Sequence, residues 1–181
     1  MEFEELNSRV KTITPAIPFK GINHFFDISG ILKDPSVFEG TIYHLGILVK
    51  SFLPDYVCAL DARGFLLAAP VCLSLKVPLV MIRKRGKLPA SCVHTTYDKE
   101  YESGDVLEMQ SETIPAGSRV VVMDDVLATG GTLKAANCLV QTFGPSQVVS
   151  VCLIDIGLPG VAEKLKSSGI KVVSLFDASN W

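Results

Sequence analysis

The sequence has no excess of charge of one sign. Its 181 residues include 17 Lys and Arg against 19 Asp and Glu, so the formal net charge at pH 7 is −2. A nucleic-acid-binding domain normally concentrates Lys and Arg on one face, because the phosphate backbone supplies much of its affinity. The balance therefore predicts no nucleic-acid partner and favours a small molecule, or a second copy of the chain, as the partner.

Long apolar runs and a secretory signal are also missing. The longest apolar run, residues 65–75, is interrupted by Pro70 and Ser74, and it is shorter than the roughly 18 residues of a membrane-spanning helix. Glu2, Glu4 and Glu5 have the wrong sign for the first region of a signal peptide. We therefore expect no membrane partner and a cytoplasmic location.

The cysteines do not form a disulfide framework. The sequence has five of them, an odd number, and no Cys-x-x-Cys pair. Four lie in apolar segments, where a cysteine behaves as a small buried hydrophobe: Cys58, Cys72, Cys138 and Cys152. This usage favours a reducing compartment.

Two common nucleotide-binding motifs are absent. No Gly-x-x-x-x-Gly-Lys-Ser/Thr occurs, so a P-loop nucleotidase has no support, and no Gly-x-Gly-x-x-Gly occurs, so dinucleotide binding has none. The three histidines, His24, His44 and His94, lack the spacing of metal ligands. We expect no metal held by the protein's own side chains.

The apolar residues that are present, 48% of the chain, suffice for a full core and are arranged in alternating segments. Strands are predicted over 55–60, 78–82, 118–123, 147–154 and 170–175, and helices over 35–52, 65–75, 131–143 and 160–168. Continuous apolar strands that alternate with helices predict a single α/β domain, with a mostly parallel central sheet flanked by helices. Ligands in such sheets bind at the carboxyl ends of the strands.

The segment 90–112 interrupts this alternation. It is polar, and its β-forming residues stand on either side of a charged run that includes Asp98, Lys99 and Glu100. This pattern predicts an irregular hairpin. Long polar segments of this kind in compact domains commonly act as lids, so we expect a flap over a ligand site.

The segment 120–132, VVVMDDVLATGGT, carries the strongest functional signal. Gly130 and Gly131 allow the backbone to bend and to bring N–H groups against phosphate oxygens. Thr129 and Thr132 add hydroxyl donors, and the following helix adds the positive end of its dipole. The segment therefore predicts a phosphate cradle.

Two acids precede this cradle, Asp124 and Asp125. Carboxylates do not bind phosphate favourably, but they accept hydrogen bonds from the neutral hydroxyls of a ribose. Acids beside a phosphate cradle therefore predict a ribose 5-phosphate site. The alternative is a buried strand followed by a capped turn, with both acids merely solvated.

Two cationic segments stand at the ends of other predicted strands. LDARGF, residues 60–65, places Arg63 just before a helix, and IRKRGKLP, residues 82–89, has four cations in five residues. Guanidinium groups and backbone amides at a sheet edge suit a pyrophosphate with its several negative charges. The alternative for the second segment is a solvated loop.

Together, these segments resemble the adenine phosphoribosyltransferases of the type I phosphoribosyltransferase family. The resemblance covers about residues 19–175 and includes the Glu100-Tyr101 pair of the predicted flap. It implies the type I fold over residues 1–181, with a hood and base pocket over about 1–34 and a flexible flap over about 90–112. It also implies a homodimer.

The resemblance implies a purine-salvage enzyme that transfers the 5-phosphoribosyl group from phosphoribosyl pyrophosphate to adenine, giving AMP and pyrophosphate. The cofactor it implies is magnesium, held mainly through substrate oxygens and water. A phosphoribosyltransferase for hypoxanthine, guanine or orotate remains an alternative. A regulator that senses phosphoribosyl pyrophosphate without catalysis is a further alternative, although the chain lacks a DNA-binding appendage.

The implied roles fall into four groups. The phosphoribosyl group is bound by Asp124, Asp125, Ala128, Thr129, Gly130, Gly131 and Thr132, and the pyrophosphate by Arg63, Arg83, Lys84 and Lys87. The catalytic residues are Glu100, which meets the base as an acid or hydrogen-bonding group, and Arg63. The base is contacted by Phe25, Phe26, Tyr101 and Ile156.

The hood departs from the family pattern. The family has Pro-Gly-x-x-Phe-Arg-Asp-Ile, whereas residues 20–28 are KGINHFFDI. One extra residue separates Gly21 from Asp27, and Phe26 stands in place of the arginine. An aromatic pair at this place could stack on a purine or fill the core.

Overall fold

The computed structural model describes residues 1–19, 22–99 and 102–181. Its elements, in chain order, are α1 (Phe3–Ile13), β1 (Ala16–Phe19), β2 (Ile22–Phe26), α2 (Ser29–Lys33), α3 (Pro35–Lys50), β3 (Tyr56–Leu60), α4 (Arg63–Leu75), β4 (Leu79–Lys84), β5 (Cys92–Lys99), β6 (Glu102–Gln110), β7 (Arg119–Leu127), α5 (Gly131–Gln141), β8 (Gln147–Asp155), α6 (Val161–Ser167) and β9 (Val172–Asp177). Among these residues, none of the helices combines the length and the apolar composition of a membrane span.

The central sheet has seven strands in the order β5-β6-β4-β3-β7-β8-β9. Strands β4, β3, β7, β8 and β9 are parallel to one another. β5 and β6 form an antiparallel hairpin that extends the sheet along β4. The predicted fold class is confirmed, and the predicted hairpin is the edge of the main sheet. The parallel strands place Leu60, Lys84, Leu127 and Asp155 at one carboxyl edge.

The sheet separates two hydrophobic cores. Because successive side chains of a strand point to opposite faces, Val57 and Ala59 of β3 pack in one core, and Cys58 and Leu60 pack in the other. The first core also contains buried residues of α1 to α4, and the second contains those of α5 and α6. Burial of the strands on both faces explains their continuous apolar sequences.

The start of α3 agrees with the sequence pattern. Asp34 is the N-cap, and its Oδ1 accepts hydrogen bonds from the backbone N–H groups of Ser36 and Val37, each at 3.1 Å. Pro35 occupies the first helical position, where its missing N–H costs no hydrogen bond. Arg9 of α1 reaches Asp34 Oδ2 at 2.7 Å and so ties α1 to this helix start.

The amino-terminal region contains elements that the pattern did not indicate. They are α1, the antiparallel pair β1 and β2, and the short helix α2. β7 also extends beyond the predicted 118–123 as far as Leu127. Its pairing with β8 continues through Asp124 opposite Cys152, so the two acids are strand residues.

Candidate active site

The phosphate-cradle segment lies where the sequence placed it, between β7 and α5. Gly130 precedes the helix with φ 77° and ψ 1°, a left-handed conformation that favours glycine. A Cβ on Gly130 would lie 3.0 Å from a methyl carbon of Leu165, so a side chain here would have to displace that leucine of α6. No side chain caps the start of α5. Its first N–H groups are therefore available to an anion.

A small cleft of about 70 Å³ follows this loop. Its lining consists of Asp124, Val126, Leu127, Ala128, Thr129, Gly130, Gly131, Thr132 and Leu133. All five residues expected at the phosphate, 128–132, are therefore brought together with the first acid of the pair.

A second cavity, of about 230 Å³, adjoins the first at Asp124, Val126 and Thr132. Its lining consists of Leu60, Asp61, Ala62, Arg63, Lys84, Leu107, Asp124, Asp125, Val126 and Thr132. The structure thus gathers predicted phosphoribosyl and pyrophosphate residues from three separate segments at the carboxyl edge of the sheet. This is the location expected for a ligand of a parallel sheet.

The two acids at the end of β7 have different surroundings. Asp124 Oδ1 accepts the backbone N–H of Asp125 at 2.9 Å. The Asp125 side chain is buried, and its Oδ2 lies 2.8 Å from Arg63 Nε. Burial and the neighbouring Asp125 carboxylate raise the pKa of Asp124 well above its ordinary value. Asp125 is thus paired with a cation, whereas the surroundings of Asp124 favour its protonated form relative to a free aspartic acid.

Arg63 connects the acid pair to the hood. Besides Asp125, its guanidinium donates from Nη1 to the carbonyl oxygen of Phe26 at 3.3 Å. Its Cζ lies 4.5 Å from the centroid of the Phe25 ring, within the range of a cation–π contact. A Cβ on Gly64 would lie 3.0 Å from the carbonyl oxygen of Met123, so this glycine allows α4 to begin close to the acids.

The cationic segment at the end of β4 is held by several contacts. Arg83 Nε lies 3.3 Å from Asp61 Oδ2, and Arg83 Nη1 donates to the carbonyl oxygen of Lys87 at 3.1 Å. Lys84 lines the larger cavity. The Lys87 side chain is exposed and lies outside that lining.

The residues expected at the base are not all in the same surroundings. Phe25 is half-buried above Arg63. Phe26 is buried in the core, with its ring centroid 6.1 Å from that of Trp181, and Ile156 packs against the same core. Tyr101 and Glu100 lie outside the described residues. The hairpin strands on either side of them extend to Lys99 and Glu102, which are register partners.

Three residues of the region had no role assigned from the sequence. Asp61 belongs to the LDARGF segment and pairs with Arg83. Trp181 packs on Phe26, and Glu108 of β6 accepts hydrogen bonds from the cationic loop. Of the three, only Asp61 could have been found from the sequence, because it lies in the LDARGF segment. Trp181 and Glu108 contact residues that are distant in the sequence and that only the fold brings close.

Metal ligation by the protein alone is not seen in the described ranges, where no group of three His, Cys, Asp or Glu side chains could hold an ion. The carboxylates of Asp61, Asp124 and Asp125 line the larger cavity. Magnesium commonly binds through one or two carboxylates together with substrate phosphates and water. The donor set therefore fits a magnesium ion that arrives with a phosphorylated substrate.

A parallel α/β sheet with an acid pair, a glycine loop and cations at its carboxyl edge defines the type I phosphoribosyltransferase class. The family model described as "Phosphoribosyl transferase domain" matches residues 46–180. Adenine phosphoribosyltransferase from Rhodospirillum rubrum is 41% identical over 152 residues, which cover 84% of this chain and 88% of the relative.

Solved structures agree with this classification. Adenine phosphoribosyltransferase from Thermoanaerobacter pseudethanolicus is 36% identical, with a TM-score of 0.83 over 97% of this chain and 99% of the other. The enzyme from Giardia lamblia, solved with 9-deazaadenine, is 32% identical, with a TM-score of 0.85 over 98% of both chains. The chain belongs to the phosphoribosyltransferase family and, within it, to the adenine phosphoribosyltransferases. The predicted resemblance and enzyme class are confirmed.

Proposed function

We propose that this protein binds phosphoribosyl pyrophosphate in the two adjoining cavities and transfers its phosphoribosyl group to adenine, giving AMP and pyrophosphate. The observation that carries the assignment of residues is the shared lining at Asp124, Val126 and Thr132. It joins a phosphate cradle to a cavity lined by acids and cations. A ribose that carries a phosphate at one end and a pyrophosphate at the other needs the same sequence of partners: a phosphate cradle, then acids for its hydroxyls, then cations.

The 5-phosphate is assigned to the loop 128–132. Backbone N–H groups at the start of α5 and the hydroxyls of Thr129 and Thr132 would donate to its oxygens. The left-handed Gly130 turns the chain so that the loop and the helix start face one cleft. Because this binding uses the backbone, it depends on loop shape more than on side-chain charge.

The acid pair is assigned to the ribose hydroxyls and to the charge that develops on the sugar. In a transfer at the anomeric carbon, breaking of the bond to pyrophosphate leaves positive charge on the sugar. Ionised Asp124 and Asp125 would stabilise this charge electrostatically. The carboxylate oxygens of both residues can accept hydrogen bonds from ribose hydroxyls.

The leaving pyrophosphate is assigned to Arg63, Arg83, Lys84 and Lys87. Of these, Arg63 and Lys84 line the larger cavity, while Arg83 shapes the following loop through its contact with the Lys87 carbonyl. Bound magnesium supplies further positive charge to offset the charge of the leaving group. The acids Asp61, Asp124 and Asp125 are the side chains placed to meet the ion or its waters.

The base is assigned to a pocket beneath the hood. Phe25, held over Arg63, offers an aromatic face, and Ile156 is proposed to pack on the other side of the ring. Glu100, which lies between β5 and β6 in the sequence, is proposed to donate a proton or hydrogen bond to the purine as its nucleophilic nitrogen reacts. Closure of this flap would exclude water from the reactive sugar.

A homodimer is proposed through one apolar face. Its members are exposed apolar side chains of α3, α4 and β4: Tyr43, Ile47, Leu66, Leu73 and Met81. α3 packs beside α4. Met81 is the register partner of Ala59, which faces the core beneath α4. A patch of such residues on one side of a domain is typical of a protein interface.

The decisive experiment is a competition assay with adenine, hypoxanthine and guanine in the presence of phosphoribosyl pyrophosphate and magnesium. We expect AMP as the main product. Preferential formation of IMP or GMP would overturn the choice of base while leaving the phosphoribosyl site intact. Absence of any nucleotide product would overturn the enzymatic assignment itself.

A further inference from the structure

Glu108 is a buried carboxylate outside the residues assigned so far. It lies in β6 with 4% of its surface exposed. Its Oε1 accepts the backbone N–H groups of Lys87 and Leu88, both at 2.9 Å. Burying a carboxylate is costly unless it is paired or hydrogen-bonded, so these contacts must offset its desolvation.

The loop that receives Glu108 has the form of an anion-binding nest. Gly86 has φ 79°, and the backbone N–H groups that follow it converge on one oxygen. Successive N–H groups arranged in this way bind anions. Burial alone would raise the pKa of Glu108, but N–H groups of Gly86, Leu88 and Lys87 and the charge of His94 outweigh it and lower the pKa. The Glu108 carboxylate therefore occupies the anion-binding position of this loop.

The same loop fixes the cations at the end of β4. Arg83 is opposite Glu108 in the register of β4 and β6, and it bonds to both Asp61 and the Lys87 carbonyl. The backbone N–H of Arg85 donates to the carbonyl of Val106 at 3.0 Å. The loop is thus attached to β6 at two places, and Glu108 is the attachment that uses a side chain.

We propose that Glu108 is a positioning residue for pyrophosphate: its carboxylate holds the loop 85–88, and thereby Arg83, Lys84 and Lys87, in the arrangement that receives the donor. The inference rests on the proposed function of these cations. It also links the donor site to the flap, because β6 is the returning strand of the hairpin. Glu108 touches neither substrate in this scheme and acts through the loop.

The test compares Glu108→Ala and Glu108→Gln with the parent enzyme, with Glu163→Ala on α6 as a control that removes an exposed carboxylate. The amide oxygen of Gln still accepts two N–H groups, whereas Ala accepts none. We expect Glu108→Ala to raise KM for phosphoribosyl pyrophosphate about 10-fold or more, with KM for adenine within about twofold. Glu108→Gln should recover most of the loss, and the control should match the parent.

A loop-side variant keeps the test decisive if Glu108→Ala folds poorly. Gly86→Ala leaves Glu108 in place, and its new Cβ meets no atom within 4 Å, but the left-handed φ strains the nest. It should raise KM for the donor selectively as well. Equal rises in both KM values, or an unchanged KM for the donor in both Glu108→Ala and Gly86→Ala, would overturn the inference. A parent enzyme without transferase activity would instead overturn the proposed function.

Discussion

Asp124 and Asp125 follow one another in β7, but each is held by a different contact. Asp125 is neutralised by Arg63 at 2.8 Å, whereas Asp124 accepts a backbone N–H and has a raised pKa. Burial and the neighbouring Asp125 carboxylate are the main causes of this raised pKa. We therefore expect that replacement of Asp125 leaves Arg63 without its carboxylate partner.

Replacement of Asp125 by Asn tests this arrangement. The amide keeps the size of the side chain but removes the charge that pairs with Arg63 and with the developing positive charge of the sugar. We expect kcat/KM for the donor to fall by about 10²-fold or more, the scale of a lost electrostatic contact at a reacting centre.

The control for this change is Glu163→Gln, which converts an exposed carboxylate on α6 to an amide. Its kinetics should match those of the parent. If Asp125→Asn keeps kcat/KM within about threefold, a change near 0.65 kcal/mol, the acid is only a structural partner of Arg63.

The substitution Arg63→Lys tests whether the site needs a planar guanidinium at this position. It contacts Asp125, the Phe26 carbonyl and the Phe25 ring at once. In Arg63→Lys the charge remains, but a single ammonium cannot reach all three partners. We expect KM for adenine to rise by about 10-fold or more, because the hood loses its support.

Steady-state kinetics with varied adenine at saturating donor measures this effect. Arg9→Lys is the matched control, since Arg9 forms an ion pair with Asp34 away from the two cavities. Because Arg63 is also assigned to the pyrophosphate, the KM for the donor should rise as well. A normal KM for adenine in Arg63→Lys would show that the guanidinium serves the pyrophosphate alone and does not organise the hood.

At the scale of elements, the sequence predicted the parallel strands well and the hood poorly. The central strands are buried on both faces, so their apolar runs identify them without reference to neighbours. α1 buries Leu6 and Val10, and β1 and β2 are short and form a separate two-stranded sheet in the described part of the chain. Their structure depends on distant contacts, such as the packing of Phe26 against Trp181, which no local pattern contains.

The cationic loop of the site likewise depends on a contact between residues that are distant in the sequence. Its charges are visible in the sequence, but the acceptor that organises it is Glu108, which lies 20 positions from Leu88 in a strand with few distinguishing features. Residues 128–132 could be grouped from the sequence, because they form one continuous segment, and the structure places them around one cleft.

Two central strands are joined at their amino ends by an ion pair. Asp55 accepts from the backbone N–H, Nε and Nη2 of Arg119 at 2.8, 3.1 and 2.8 Å. These bonds, from the side chain first and the backbone second, lower the pKa of Asp55 to about 2. A carboxyl whose pKa is lowered by folding stabilises the protein above its unfolded pKa, and this contribution is lost as the pH falls towards the folded pKa.

Asp55→Asn should therefore destabilise the protein at pH 6 to 8, and the difference from the parent should shrink between about pH 4 and pH 2. Urea unfolding at pH 7 and pH 3 measures this change, with Glu163→Gln as a reference for simple loss of an exposed charge. A difference of equal size at both pH values would mean that the carboxylate charge of Asp55 contributes nothing to the attachment.

Among the described residues, the two cores contain most of the large apolar side chains, but the apolar face of α3, α4 and β4 belongs to neither. Leu73 is 82% exposed, and Leu66 lies two helical turns before it on the same side of α4. Both face away from the residues that α4 buries, Leu67, Ala68 and Val71. A helix that is apolar on both sides is expected to be buried on both sides, which a second copy of the chain would achieve.

Leu73→Asp tests this assembly at the most exposed residue of the face. Burying a leucine contributes roughly 1.5–3 kcal/mol, and a twofold axis would place the substitution in both copies, so a charge here should convert a dimer to monomers. Sedimentation velocity at micromolar concentration measures the state, and Leu158→Asp, an exposed leucine just before α6, is the matched control. We expect a dimer for the parent and the control and a monomer for Leu73→Asp. A monomeric parent would exclude the assembly, and a dimeric Leu73→Asp would place the interface on another surface of the molecule.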